Sequence, residues 1–111
     1  MIKYKAQSQN EILALRIALI LAKKTSKDVS NTDDGGTCNL DLPFLILPKW
    51  NKEDIEQAFK GTGLWPCIEK DLVYVCGTTA GCGFRRTAMA EATRDSLKKS
   101  GYDAYIYYKI D

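Results

Sequence analysis

The stretch from Leu72 to Lys99 constrains the fold most, because it predicts a strand, a glycine-rich loop and a helix in direct succession. The strand covers 72–76, the loop covers 77–83, and the helix opens with Arg85 and Arg86. A strand that enters a helix through such a turn points backbone N–H groups and the positive end of the helix dipole into one small space. This geometry suits an anion, and the two arginines stand beside it.

The composition excludes several classes of function. The 111 residues predict one domain with a core that needs neither disulfides nor metal. Sixteen Lys and Arg against 14 Asp and Glu give a net charge of +2, which indicates neither a nucleic-acid binder nor a DNA mimic. The chain has no histidine, which removes the commonest general base and metal ligand. The sequence therefore favours a non-enzymatic protein and predicts neither a metal nor a cofactor.

The cysteines and the N-terminus bear on localisation. The four cysteines form no C-x-x-C pair, so neither a zinc site nor a thioredoxin-type motif is predicted. The segment Met1–Gln7 is polar and the apolar run Ile17–Ala22 is too short to cross a bilayer, so neither a secretory leader nor a membrane span is expected. We expect a cytoplasmic protein with reduced thiols, in which Cys67 and Cys76 are small core residues.

The first predicted element is an apolar helix. Ser8 and Glu11 form a capping box, which predicts a helix from about Gln9 to Lys24. One apolar stripe on it comprises Leu13, Ile17, Ile20 and Leu21, and a second set, Ile12, Leu15 and Leu19, widens the stripe. Such a helix has to be buried on more than one side, either across a sheet or in a partner subunit.

The remaining chain predicts an α+β fold. A long loop at 25–42 is followed by a strand, a helix, a hairpin of two strands, a second helix and a last strand at 102–110. We expect a single domain over 1–111, composed of the N-terminal helix 8–24, the loop 25–42 and a βαββαβ core over 43–111. This core order is ferredoxin-like, and right-handed crossovers place its first and third strands in the centre of a four-stranded antiparallel sheet. Those two strands are apolar on both faces, which predicts cover on both sides.

The topology collects most glycines at one end of the sheet, which we take as the predicted site. Its ligand-binding residues are predicted to be Gly77, Thr78, Thr79, Gly81, Gly83, Arg85, Arg86, Asp33 and Asp34. Two alternatives stay open. The arginines hold a phosphate or carboxylate of a ligand, or they pair with Asp33, Asp34 or Asp41 while the glycines only allow tight turns.

The segment from Val75 to Arg85 reads strand, Gly, three residues, Gly, one residue, Gly, Phe, Arg and helix. In this order it resembles the loop of the acylphosphatase family, whose fold is ferredoxin-like. The resemblance implies that loop amides and Arg85 cradle a phosphate. In that family the loop follows the first strand, whereas here it follows the third, and the asparagine that orients the attacking water falls at Tyr108. We therefore carry over the anion cradle and not the catalysis.

Strand aromatics raise a separate hypothesis. Ferredoxin-like sheets bind single-stranded RNA by stacking bases on aromatic residues, and the candidates here are Phe44, Tyr74, Tyr105 and Tyr107. The chain has no RNP-type pattern, and we expect the Ile12–Leu21 helix to cover that face or to form a dimer. Core packing is therefore the predicted role of Phe44 and Tyr74.

Three functions follow in order of preference. The first is a small binding protein, predicted as a homodimer, that recognises a phosphate-bearing ligand such as a nucleotide at the glycine-rich loop. The second is a protein-interaction module or inhibitor, for example a phage accessory protein acting on a host factor, whose loop Thr25–Leu42 and tyrosines contact the partner. The third is an acylphosphatase-like hydrolase. A protein or small-molecule partner is preferred to nucleic acid, and no membrane partner is expected.

Overall fold

The computed structural model describes residues 3–108 and shows an α+β fold with three helices and one four-stranded antiparallel sheet over that range. Its elements are α1 (Gln9–Asp28), β1 (Leu42–Ile46), α2 (Lys52–Phe59), β2 (Trp65–Glu69), β3 (Leu72–Cys76), α3 (Gly83–Lys99) and β4 (Asp103–Tyr107). The first two residues of the polar N-terminal segment, Met1 and Ile2, and the last predicted strand positions, Lys109 and Ile110, lie outside the described residues. Within 3–108, no helix combines the length and the hydropathy needed to cross a membrane.

The sheet has the strand order β2-β3-β1-β4, and each neighbouring pair is antiparallel. The first and third strands are central, as the sequence predicted. Phe44 in β1 lies opposite Tyr74 on one side and opposite Tyr105 on the other. Pro66 lies in the edge strand β2, where a residue without an N–H is tolerated.

Helix α1 begins where the capping box predicted and ends later than expected. The Ser8 hydroxyl accepts a hydrogen bond from the Glu11 N–H, and the Glu11 carboxylate accepts one from the Ser8 N–H, each at 3.1 Å. These bonds hold the pKa of Glu11 below its usual range. The helix continues beyond Lys24 to Asp28, with the Thr25 and Ser26 hydroxyls donating to helix carbonyls at 2.9 and 2.8 Å. The loop before β1 is therefore shorter than predicted and covers 29–41.

The hydrophobic core lies on one face of the sheet, and all three helices contribute to it. Leu45, Val73 and Val75 point from the central strands into this core and are fully buried. The helices complete it with Ile12, Leu15, Leu19, Ile55, Phe59 and Leu97. Because α1, α2 and α3 share one side, no helix within residues 3–108 lies on the opposite face of the sheet. The prediction that β1 and β3 are covered on both faces is therefore wrong.

The predicted apolar stripe of α1 faces away from the core. Leu13, Ile17, Ile20 and Leu21 are each about half exposed, at 47%, 58%, 50% and 48%. The residues predicted only to widen the stripe, among them Leu15 and Leu19, face the core instead. The expectation that α1 covers the aromatic face of the sheet is wrong, because its buried side packs in the core on the other face.

Candidate functional site

The glycine-rich loop holds an aspartate from the preceding part of the chain. Asp34 Oδ1 accepts a hydrogen bond from the Cys82 N–H, at the residue that precedes the first turn of α3. Gly81 adopts a left-handed conformation with φ of +76°, and a Cβ there would lie 2.8 Å from Asp34 Oδ1 and 3.0 Å from Arg85 Cδ. Asp34 therefore supplies the negative charge that the positive end of the α3 dipole favours.

The loop 29–41 packs on the first turn of α3. The Phe84 N–H donates to the carbonyl of Gly35 at 2.8 Å. Asn39 Nδ2 donates to the carbonyl of Gly83 and to the Thr87 hydroxyl, each at 3.1 Å. The Thr87 hydroxyl donates to the buried Asp41 carboxylate at 2.8 Å. The predicted site residues omit Asn39 and Thr87, and the sequence carries no spacing signal that would join two positions 48 residues apart.

The two arginines contact loop carbonyls. Arg85 Nε donates to the carbonyl of Thr32, and Arg86 Nε donates to the carbonyl of Asp41, both at 3.0 Å. Both side chains are half-buried. From the sequence we expected the arginines to bind an anion, either a ligand or an Asp side chain. In the structure they bind backbone carbonyls instead, and these contacts hold the loop against α3.

The other predicted site residues lie around this contact. Thr78 is 1% exposed, and its hydroxyl has no hydrogen-bond partner among the described residues. Thr79 is half-buried, and Asp33 is exposed with its carboxylate beside Gly35. Gly77, with φ of +106°, lies against Leu64 and Trp65 near β2 rather than against the loop 29–41. The structure thus brings Asp34, Gly81, Gly83 and Arg85 together, and places Gly77 to one side.

A cavity of about 510 Å³ lies next to this contact. Its lining comprises Thr37, Asn39, Asp41, Gly83, Phe84, Thr87 and Tyr108. Of the predicted ligand-binding residues, only Gly83 takes part in this lining. Three of its polar side chains, those of Asn39, Asp41 and Thr87, bond to one another.

A disulfide ties the same two segments together. Cys38 in the loop and Cys82 before α3 are bonded, with their Cα atoms 4.9 Å apart. The prediction of reduced thiols is therefore wrong for this pair. Disulfides persist mainly in oxidising compartments, so reduced thiols no longer support the cytoplasmic localisation, which stays a prediction based on the polar N-terminal segment. Cys67 and Cys76 are free but are not core residues, because one is exposed and the other half-buried.

Counting reactive thiols tests this assignment. We expect the unfolded chain to take up two alkyl groups without reductant, on Cys67 and Cys76, and four after reduction. In the native protein, burial and then the neighbouring Cys67 raise the pKa of the Cys76 thiol, which lowers its thiolate fraction near neutral pH. Mass spectrometry after alkylation gives the count. Four groups on the unreduced chain would contradict the disulfide.

The open sheet face is the second candidate site. We use this name for the outward positions of the four strands: Leu42, Phe44, Ile46, Trp65, Cys67, Glu69, Leu72, Tyr74, Cys76, Asp103, Tyr105 and Tyr107. Its central row runs across the sheet as Cys67, Tyr74, Phe44 and Tyr105. The prediction that Phe44 and Tyr74 pack in the core is wrong, since both are half-buried on this face.

The aromatic rings on this face contact one another. Phe44 stacks on Tyr105 with ring centroids 5.5 Å apart and meets the edge of Tyr74 at 5.8 Å. Tyr74 in turn meets Tyr107 edge-on at 6.5 Å. Burial, followed by the charge of Glu69, raises the pKa of Tyr74. These contacts fix the rings in place, so the face presents a preformed aromatic surface at little entropic cost.

The charges of the open sheet face are negative. Among its described positions, the acidic side chains are Glu69 and Asp103, which share one end row with Leu72 and Ile46, and none is Lys or Arg. A cavity of about 390 Å³ opens at this end, lined by Ile46, Glu69, Lys70, Asp71, Leu72 and Tyr74. The surface is therefore aromatic in the middle and acidic at one end.

Neither the family models, nor the curated proteins, nor the solved structures yield a match to this chain. Its function is therefore inferred from its own geometry.

Proposed function

We propose that this protein is a non-enzymatic protein-interaction module that binds a partner polypeptide on the open sheet face. The observation that carries the proposal is the exposure of large side chains there: Trp65, Tyr105 and Tyr107 are 59%, 45% and 50% exposed. Contiguous apolar patches of this kind mark interaction sites on small proteins, and Tyr and Trp are the residues that most often dominate binding energy. This was the second of the functions that the sequence suggested.

A polypeptide fits this face better than RNA. Affinity for nucleic acid comes largely from Lys and Arg contacts to phosphates, and the described positions of the open sheet face include neither residue. Glu69 and Asp103 would repel a phosphate backbone. The same two carboxylates favour a partner with a basic side chain beside its apolar ones.

The fold supports the same use of the sheet. We propose that residues 42–107 form a ferredoxin-like βαββαβ unit, preceded by α1. The support is the order of elements after α1, the central position of β1 and β3, and the antiparallel pairing of all neighbours. In such a unit the helices share one face, which leaves the other free for binding.

The phosphate-ligand hypothesis requires a contact within the chain to be broken. A phosphate held by the amides at 77–83 has to displace the Asp34 carboxylate from the Cys82 N–H. The arginines would not have to leave the loop carbonyls, because those bonds use Nε and a phosphate can be bound by the terminal guanidinium N–H groups. The hydrolase hypothesis needs the same displacement. Because Asp34 already occupies the Cys82 N–H, we prefer the proposal that a partner binds on the open sheet face.

Panning a random peptide library against the folded protein tests the proposal. We expect enriched peptides that combine aliphatic or aromatic residues with Lys or Arg. The double variant Tyr105→Ser with Tyr107→Ser should weaken their binding about tenfold or more, as loss of exposed anchor residues does at interfaces. Isothermal titration calorimetry measures the affinity of each peptide.

Tyr4→Ser is the matched control, because Tyr4 is 56% exposed and lies outside the sheet. It should leave peptide affinity unchanged. Circular dichroism of each variant confirms that the fold is retained. Peptides that bind the double variant as tightly as the wild-type chain would refute the proposal. Tight binding of a uridine oligomer, lost in the same variant, would refute the choice of a polypeptide partner.

A further inference from the structure

Helix α1 is apolar on two opposite sides, and only one of them is buried within the chain. Its inner side packs in the core, while Leu13, Ile17, Ile20 and Leu21 form an outer stripe at i, i+4, i+7 and i+8. This spacing puts the four side chains in one row along the outer surface. A row of this kind on a helix is the surface that helix pairs bury.

The outer stripe is symmetric in sequence about Ile17. Leu13 and Leu21 lie four residues before and after it, while Ala14 and Ile20 lie three residues before and after it. Two copies of α1 that cross antiparallel at Ile17 would place Leu13 of each against Leu21 of the other. The small Ala14 would then face the large Ile20, which lets the helices approach closely. A two-fold interface of this kind uses the same patch on both subunits.

The charges favour the antiparallel arrangement. Asn10 and Lys24 flank the apolar stripe, seven residues on either side of Ile17. In an antiparallel pair each Lys24 meets the Asn10 amide and the positive end of the helix is beside the negative end of its neighbour. In a parallel pair Lys24 would face Lys24, and like charges at that distance repel. A groove of about 320 Å³ lies beside Leu21, and its lining also includes Thr25, Ala92, Asp95, Ser96 and Lys99.

From these observations we infer that the occupant of the outer stripe of α1 is a second copy of this chain, in an antiparallel α1–α1 dimer centred on Ile17. The stripe covers about two turns, so the interface is small and the affinity falls in the micromolar range, on the order of the weakest specific complexes. The inference is independent of the partner proposed for the open sheet face.

Sedimentation equilibrium on the full chain tests for the dimer. Over about a thousandfold range of concentration centred on micromolar, we expect the mass to rise from that of the 12.4 kDa chain towards twice that value. Ile17→Glu should leave the chain monomeric throughout, and the Tyr105→Ser, Tyr107→Ser double variant should dimerise as the wild-type chain does. A wild-type chain that stays monomeric overturns the inference. So does a dimer that survives Ile17→Glu, or one that is lost only in the tyrosine variant.

Cross-linking tests the register. In a background with Cys67→Ser and Cys76→Ser, the variant Ile17→Cys should form a disulfide between copies, because each Ile17 meets its own counterpart on the two-fold axis. Leu13→Cys should cross-link poorly, since Leu13 meets Leu21. Equal cross-linking at both positions would indicate a parallel pair and overturn the antiparallel arrangement. Ile17 and Leu13 are about half exposed, so both variants should fold.

Discussion

Replacing Gly83 with Ala should lower the free energy of unfolding by about 3 kcal/mol. Gly83 has φ of +57°, which costs any other residue about 1–2 kcal/mol. In addition, a Cβ there would overlap the Gly35 carbonyl oxygen at 2.0 Å, so the loop 29–41 would have to move off α3 at an added cost of about 1–3 kcal/mol. Urea denaturation monitored by circular dichroism gives the difference.

Gly61→Ala separates the two causes of that loss. Gly61 also has a positive φ, of +78°, but apart from its chain neighbours a Cβ there would meet no atom of the described residues within 4 Å. It should therefore show the conformational cost alone, about 1–2 kcal/mol. Equal losses at the two positions would mean that the loop does not press against Gly83, and the docking of Asp34 and Gly35 on α3 would have to be abandoned.

The second large effect distinguishes the two sides of α1. Leu15→Ala should lower the free energy of unfolding by about 2–5 kcal/mol, because Leu15 is fully buried and its removal leaves a cavity in the core. Ile17→Ala, two residues away, should change it by no more than about 0.5 kcal/mol, as is usual for exposed positions. Both are measured at a concentration where the chain is monomeric, so that subunit contacts do not contribute.

The sequence predicted that α1 is buried on more than one side and did not distinguish the Ile17 stripe from the Leu15 side, so the comparison shows which side packs in the core. If Ile17→Ala lowers the free energy of unfolding as much as Leu15→Ala or more, α1 is rotated relative to the sheet. The proposed antiparallel dimer would fail with it, because the outer stripe would no longer be available.

Local signals predicted the elements well. The capping box at Ser8 predicted the start of α1, and the Asn51 side chain caps α2 by accepting from the Asp54 N–H at 2.8 Å. Strand β3 has the predicted bounds, and the antiparallel sheet has the predicted central strands. These features depend on residues within a few positions of one another, or on the order of elements along the chain.

The structure brings only some of the predicted site residues together. The sequence placed Asp34 near Gly81 and Arg85, and the structure brings them together. It did not indicate that Cys38 and Cys82 bond, or that Thr87 and Asn39 join the loop to α3. Those contacts span 44 and 48 residues, and nothing in the local pattern distinguishes them from other pairings.

The sequence by itself determined which segments become helix and strand, since capping, periodicity and turn residues act over short distances. Only the tertiary structure decided which faces are buried. Helix α1 is apolar on two sides and the central strands are apolar on two faces, so local hydrophobicity could not choose between them. Packing all three helices on one side of the sheet made that choice, because a single core buries Leu15 with Leu45 and Val73 while leaving Ile17, Phe44 and Tyr74 on outer surfaces.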